Sequence, residues 1–125
     1  MTIKDAIAMV DRLKPNQYDE AQKIAWLSQL DGKIFLELIA THEGAAIDSF
    51  AGYAPDVDVE TELLVEFPHA QDVYNYYLQS MIDRENGEIS KFNQSAALFN
   101  ESYNSYAGWY NRDHVPLPKM TAFVF

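Results

Sequence analysis

The sequence predicts a mostly α-helical protein, a helical bundle or hairpin with one long C-terminal helix, forming a single helical domain over residues 1–125. The main observation is an apolar seam that recurs about every 3.5 residues from Tyr74 to Tyr110, a spacing that keeps one stripe of a helix facing a partner surface. Two stretches nearer the N-terminus also place apolar residues at helical spacing. Residues 44–66 have no helical period, so they predict a long irregular loop.

The composition limits the classes of function. The 125 residues include 19 Asp and Glu against nine Lys and Arg, which gives a net charge of −10. Phosphate neutralisation needs clustered Lys and Arg, so we expect no specific nucleic-acid binding. No cysteine is present, which excludes disulfides and Cys-ligated zinc. No signal peptide and no stretch of about 20 apolar residues occurs, so we expect a cytoplasmic protein that does not enter a membrane.

The first helix is predicted by its capping residues. Thr2 can cap the N-terminus, and Asp5, three residues later, completes a pair resembling a capping box. Pro15 ends the helix because it disfavours the helical conformation of the preceding residue. The apolar face consists of Ile3, Ile7, Val10 and Leu13.

The second helix is expected to run from Gln17 to about His42, with Asn16 as its cap and Gly44 just beyond its end. Within it, the pair Asp31-Gly32 predicts either a kink or a break into two shorter helices, since Gly costs about 1 kcal/mol relative to Ala in a helix interior. The apolar face consists of Ile24, Leu27, Ile34, Phe35 and Leu38.

The loop at residues 44–66 is longer than most structureless connections in compact domains. Two interpretations stay open: it packs as an ordered lasso over the helices, or a partner orders it. The piece Leu63–Phe67 favours a short strand. Residues 62–66 and 121–125 together are the candidates for a minor β-hairpin.

Pro68 suits the first turn of the last helical region, which extends to about Arg112. The dipeptide Asn86-Gly87 is a good helix stop, yet the apolar seam keeps its phase across it. A continuous helix is the interpretation we favour, and a break at Gly87, giving a four-helix monomer, is the alternative. The seam comprises Leu78, Ile82, Ile89, Phe92, Ala96, Phe99, Tyr103, Tyr106 and Tyr110. Beyond it, the prolines predict an extended tail over residues 114–120.

No residues with the spacing of a catalytic or metal site are found. The acidic run from Asp56 begins like a calcium loop, but an EF-hand needs Gly at the sixth position and Glu at the twelfth, where this chain has Thr61 and Phe67. Glu66 and His69 match half of a di-iron motif, but Pro68 lies between them and no second copy exists. We therefore predict no catalytic residues, no cofactor and no metal.

The aromatic residues are the most informative about binding. Most of those on the seam are expected in the protein's own core. We expect Phe92, Phe99 and Tyr106 to pack there with Leu27, Ile34 and Leu38. Tyr and Trp that lie off an apolar stripe favour contact with another protein, although the long loop can equally cover them. The predicted protein-interface residues are Trp26, Tyr76, Trp109, Phe123 and Phe125.

Several segments together resemble a group of small structural proteins of tailed bacteriophages and prophages, described as head–tail connector or neck proteins. The segments are Leu13–Asn16 (LKPN), Ala25–Gly32 (AWLSQLDG), Glu62–Val65 (ELLV), Ile82–Asp83 (ID), Asn86–Ile89 (NGEI), Lys91–Asn93 (KFN) and Trp109–Arg112 (WYNR). They span most of the chain, but residues 45–60 and the end of the tail match nothing in the group. No functional residues carry over.

The resemblance implies a non-enzymatic, largely helical subunit that self-associates into a ring beneath the portal and contacts the portal and tail-completion proteins. It also implies a location in the cytoplasm of the bacterial host during assembly and then in the virion. Two hypotheses from other classes stay open. One is a cytoplasmic adaptor or regulatory protein that binds one partner through its aromatic helix face, and the other is a small hydrolase or isomerase with an unrecognised site.

Overall fold

The computed structural model describes residues 1–45 and 47–118. In chain order the helices are α1 (Ile3–Leu13), α2 (Glu20–Glu37), α3 (Ala70–Glu85) and α4 (Ile89–Asp113), with a 3₁₀ turn at Ile39–Thr41. Within the described ranges, β-pairing is limited to two isolated bridges, Thr2 with Glu62 and His42 with Pro116. The prediction of a mostly helical bundle is therefore confirmed.

The first helix has the predicted cap. The Thr2 side chain accepts a hydrogen bond from the Asp5 backbone N–H, and the Asp5 carboxylate accepts one from the Thr2 backbone N–H. This reciprocal pair satisfies two donors that have no partner inside the helix. Ile3, Ile7 and Val10 are buried as predicted, whereas Leu13, at the end of the helix, is 53% exposed.

The second helix is shorter than predicted. It begins at Glu20 because Asp19 is the cap, with its carboxylate accepting the Gln22 backbone N–H at 2.8 Å. Asn16, the predicted cap, instead accepts the backbone N–H of Tyr18 within the preceding turn. The α-helix ends at Glu37, and the chain continues only as the 3₁₀ turn. The pair Asp31-Gly32 produces no break, because the Asp31 side chain is held by other parts of the chain.

The last helical region is broken at Gly87, so the preference for a continuous helix was wrong, and the alternative of a break that gives four α-helices is confirmed. Gly87 has φ 74°, a left-handed conformation that Gly adopts without steric cost. The Gly87 backbone N–H donates to the Arg84 carbonyl and that of Glu88 donates to the Asp83 carbonyl. The chain thereby reverses and α4 packs antiparallel on α3, with the rings of Tyr77 and Phe99 5.3 Å apart. Phe99 of the seam faces α3 at this contact, whereas Ile89, the first seam residue after the turn, is 74% exposed.

The loop at residues 44–66 packs against the helices, which supports the lasso interpretation. Backbone N–H groups of Ile3 and Lys4 donate to the carbonyls of Thr61 and Val59, at 3.0 and 2.9 Å. The Leu63 N–H donates to the Met1 carbonyl at 2.9 Å. These bonds fix the second half of the loop along the start of α1.

Two smaller expectations about this half of the chain need correction. Glu62 pairs with Thr2, so the described part of the predicted β-hairpin pairs with the N-terminus. Its other half, residues 121–125, lies outside the described residues. Pro68 precedes the third helix, which begins at Ala70, and does not lie in its first turn. The described part of the tail is extended, as predicted, and the Leu117 N–H donates to the Thr41 carbonyl at 2.8 Å.

The core lies between α1, α2 and the inner side of α3, and the loop covers it. Among the fully buried large side chains are Ile3, Ile24, Leu27, Ile34, Tyr74, Leu78, Ile82 and Tyr106. Phe92 and Phe99, which we expected in this core, are only half-buried. The reason is that α4 packs mainly against α3 and reaches α2 through the Tyr103 hydroxyl, which donates to Glu37 Oε1 at 2.8 Å, so its seam meets the edge of the core.

Candidate functional site

The fold leaves the outer face of α4 uncovered among the described residues. Only Ser95, Tyr106 and Tyr110 are buried among its 25 residues. Its outward side carries small and amide side chains at helical spacing, and we call these residues the amide stripe: Ser90, Asn93, Ala97, Asn100 and Asn104, all exposed. Between Phe92 and Asn111 the only charged residue is Glu101, in a chain of which 22% is charged. Charge depletion of this kind is typical of the centre of protein interfaces.

A groove lies beside the amide stripe, between α3 and α4. It has a volume of about 230 Å³. Its lining residues are Pro68, His69, Asp72, Tyr76, Leu98, Glu101, Ser102 and Ser105. Asp72 comes from α3 and Glu101 from α4, so both helices contribute one carboxylate, while Tyr76 and Leu98 supply apolar wall. We refer to this feature as the α3–α4 groove.

Apolar side chains are exposed around the groove. Phe67, which immediately precedes the groove residue Pro68, is 91% exposed, and Leu98 is 44% exposed. The groove therefore combines exposed apolar area with two carboxylates.

The aromatic cluster at the end of the groove includes Trp109, one of the predicted interface residues. Trp109 is half-buried, and its indole lies 5.4 Å from the His69 ring and 6.0 Å from the Tyr106 ring. The Tyr106 hydroxyl donates to Glu66 Oε1 at 2.7 Å. Burial raises the pKa of the Tyr106 phenol, and the bond to Glu66 raises it further, so this donor stays protonated.

The structure brings together two of the five predicted interface residues. Tyr76 lines the groove, and Trp109 contacts His69, which also lines it. Trp26 is only 2% exposed and packs edge-on against Tyr18 at 5.5 Å, so the expectation of an exposed indole was wrong. The turn that precedes α2 covers it, which leaves no indole surface for a partner. Phe123 and Phe125 lie outside the described residues.

Asp31 is the centre of a buried polar network that the sequence did not predict. Its Oδ1 accepts the Tyr74 hydroxyl, and its Oδ2 accepts both the Tyr53 hydroxyl and the Leu64 backbone N–H. Burial raises the pKa of Asp31, and the hydrogen bonds from Tyr53, Tyr74 and Leu64 oppose that rise. The carboxylate is fully buried, so it joins α2, α3 and the loop and has no access to a substrate.

A second buried carboxylate joins α1 to the α3–α4 hairpin. The Lys14 ammonium lies 2.6 Å from Asp83 Oδ1, and the Ser95 hydroxyl donates to Asp83 Oδ2 at 2.8 Å. Asp83 is 1% exposed. Like Asp31, it holds elements of the fold together.

His42 occupies a comparable structural position near the tail. Its Nε2 lies 2.7 Å from Asn111 Oδ1, and its ring meets Tyr110 edge-on at 4.9 Å. Tyr110 in turn stacks on His114 at 3.8 Å. This cluster holds the beginning of the tail against the 3₁₀ turn.

In the part of the chain that the structure describes, no three or more His, Asp or Glu side chains are grouped so that they could hold a metal ion. A search of the same residues finds no helix with the length and apolarity needed to cross a membrane. No known protein-family model, curated protein or solved structure matches the chain.

Proposed function

We propose that the chain is a non-enzymatic structural subunit of a tailed-phage head–tail connector, which self-associates into a ring and joins the portal to the tail-completion proteins. It would assemble in the cytoplasm of the bacterial host and end in the virion. The sequence resemblance supplies the class of protein. The observation that carries an assembly function is the uncovered, charge-poor outer face of α4.

Self-association through the amide stripe is supported by electrostatics. Two copies each carry a net charge of −10, so contact through acidic surfaces is opposed by repulsion. The residues of the stripe are uncharged, and between Phe92 and Asn111 the outer face of each copy carries a single charged residue, Glu101. Asn side chains carry both a donor and an acceptor, so facing amides can form hydrogen bonds with each other. The small residues Ser90 and Ala97 allow close approach.

A structural function is also supported by how the buried ionisable groups are used. Asp31 and Asp83 are both fully or almost fully buried, and both hold parts of the fold together. General acid or base catalysis needs a group within hydrogen-bond reach of a substrate. Neither carboxylate meets that condition. The accessible ionisable groups of the outer face are those of the groove, which we interpret as a binding surface.

The alternative is a cytoplasmic adaptor or regulatory protein that binds one partner through the aromatic helix face. The clustering of Trp109, His69 and Tyr76 at one groove favours it, because a single groove suits a single partner. The two proposals differ in stoichiometry. A connector forms a closed ring of many copies, whereas an adaptor forms a one-to-one complex.

The first test is the gene neighbourhood, where the connector proposal requires portal and major capsid genes. Where they are present, the full chain is co-expressed with that portal protein, and the assembly is measured by native mass spectrometry and negative-stain electron microscopy. We expect rings that contain several copies of the chain. Ala97→Arg, on the amide stripe, should abolish them. Ala25→Arg, at an exposed position on α2, is the matched control and should leave them intact.

The absence of portal and capsid genes from the neighbourhood would refute the connector proposal. A one-to-one complex with a partner would favour the adaptor. Rings that form equally well with Ala97→Arg would show that the amide stripe is not the contact between copies. Circular dichroism of both variants checks that each remains helical.

A further inference from the structure

The α3–α4 groove contains two carboxylates that the fold itself does not neutralise. Among the described residues, neither Asp72 nor Glu101 takes part in an ion pair or a side-chain hydrogen bond, although both line the same groove. By contrast, the partly buried Lys14 and the buried Lys23 each contact a carboxylate. The groove therefore presents negative charge that is available to a cation from outside.

The size of the groove selects a single side chain. Pockets for small molecules usually exceed about 300 Å³, and this one measures about 230 Å³. A long side chain fits such a space, with its methylene groups against Leu98. The Ser102 hydroxyl donates to the Phe99 carbonyl at 2.9 Å, so its oxygen lone pairs remain able to accept from a ligand.

Arginine matches these walls better than lysine. A guanidinium group has donors on several edges of a plane, which suits acceptors that come from two opposite helices, and its plane can stack on an aromatic ring such as Tyr76. An ammonium is a compact charge and gains less from a ring and two separated carboxylates. Arg is also among the residues that contribute most to protein interfaces.

The net charge indicates where the arginine comes from. With 19 acidic residues against nine basic ones, a second copy of the chain would bring repulsion into the contact, whereas a basic segment of another protein would bring attraction. Phe67, 91% exposed and next to groove residue Pro68, adds apolar area for a neighbouring residue of the same segment. We propose that the α3–α4 groove binds one arginine side chain, flanked by an apolar residue, from a basic segment of a partner protein.

This inference rests on the proposed function only in giving the chemistry of a partner, and its test needs no ring. The probe is the peptide acetyl-Leu-Arg-Leu-amide, titrated into the ¹⁵N-labelled full chain and followed by NMR. We expect saturable shifts centred on Asp72, Tyr76 and Glu101, with a Kd on the order of a millimolar. The same peptide with citrulline in place of arginine has nearly the same shape without the charge, and it should bind at least about tenfold more weakly.

Variants identify the site. Glu101→Gln and Asp72→Asn together should weaken binding of the arginine peptide by about tenfold or more, because each removes a charge while keeping the shape of the side chain. Asp56→Asn, in the exposed loop, removes the same charge from the protein away from the groove and should leave the Kd unchanged. The NMR spectrum of each variant shows whether its fold is retained.

Equal binding of the citrulline peptide, or shifts centred away from the groove, would overturn the inference. So would a change in the oligomeric state of the chain when the two groove carboxylates are replaced, since that would place a second copy in the groove. Failure of ring formation with arginine-specific binding retained would overturn the connector proposal and leave this inference standing. Rings that form without arginine-specific binding would overturn this inference and leave the connector proposal standing.

Discussion

The hydroxyl of Tyr74 is predicted to contribute more to stability than any comparable group on the same helix. It donates to Asp31 Oδ1 and accepts the backbone N–H of Val65 at 2.9 Å. Both Tyr74 and Val65 are almost completely buried. Replacing Tyr74 by Phe keeps the ring and removes only the oxygen. The change therefore deletes one hydrogen bond to a carboxylate and leaves a buried N–H without a partner.

The magnitude follows from these two losses. A hydrogen bond to a charged group contributes about 1.5–3 kcal/mol, and an unsatisfied buried donor costs about 1–3 kcal/mol. Both losses come from removing the same oxygen atom, so the two ranges are not simply added. We expect roughly 3–5 kcal/mol in total for Tyr74→Phe. For a domain of this size, 1 kcal/mol corresponds to roughly 3–5 °C, so the midpoint of thermal unfolding should fall by about 10–20 °C.

The assay is thermal and urea unfolding followed by circular dichroism. Tyr77→Phe is the matched control, because Tyr77 is a partly buried tyrosine on the same helix whose hydroxyl has no hydrogen-bond partner among the described residues. It should change the free energy of unfolding by less than about 0.5 kcal/mol. A loss below about 1 kcal/mol for Tyr74→Phe would refute the reasoning, since it would mean that the hydroxyl does not bridge Asp31 and Val65.

Three further predictions concern residues of α2. Burial raises the folded-state pKa of Asp31 above its ordinary value of 3.8. The protonated form of Asp31 therefore stabilises the fold fully below about pH 3.8, and this stabilisation is lost as the pH rises through the folded-state pKa. The free energies of unfolding of the unsubstituted chain and of Asp31→Asn are measured by urea titration between about pH 3.5 and 7. The difference, unsubstituted chain minus variant, should fall as the pH rises. A constant or rising difference would contradict this. Trp26→Ala should cost about 3–5 kcal/mol in the same assay, and a loss under about 1 kcal/mol would place the indole outside the core. Gly32→Ala should stabilise by about 0.5–1 kcal/mol in thermal unfolding, because a Cβ there meets no atom within 4 Å; a loss of stability would show that the site is strained.

Local signals were predictable from the sequence. The Thr2 and Asp5 cap involves residues three positions apart, and the structure has it as expected. The break at Gly87 was also signalled locally, but the phase of the seam outweighed that signal. An antiparallel hairpin keeps the seam of both arms on one side, so phase cannot distinguish a hairpin from a continuous helix.

Long-range contacts were not predictable. Asp31 is stabilised by Tyr53 and Tyr74, which lie 22 and 43 residues further along the chain. Trp26 lies off the apolar stripe of its helix, and only the position of Tyr18 in the preceding turn shows that it is covered. The groove could be predicted only if the packing of α3 against α4 were already known. The low charge between Phe92 and Asn111 is visible in the sequence and could have indicated the outer face of α4, but it was not part of the prediction.

The amide stripe has a consequence for the kinetics of encounter. Two molecules of net charge −10 repel as they approach, and at physiological ionic strength the repulsion acts over a distance of about 8 Å. Orientations that bring acidic surfaces together are therefore short-lived, whereas those that bring two neutral helix faces together are not opposed at close range. The acidic surface thus selects among collisions even though it forms no contact itself. Added salt shortens the range of the repulsion, so it should speed association while making the first encounters less selective for the stripe.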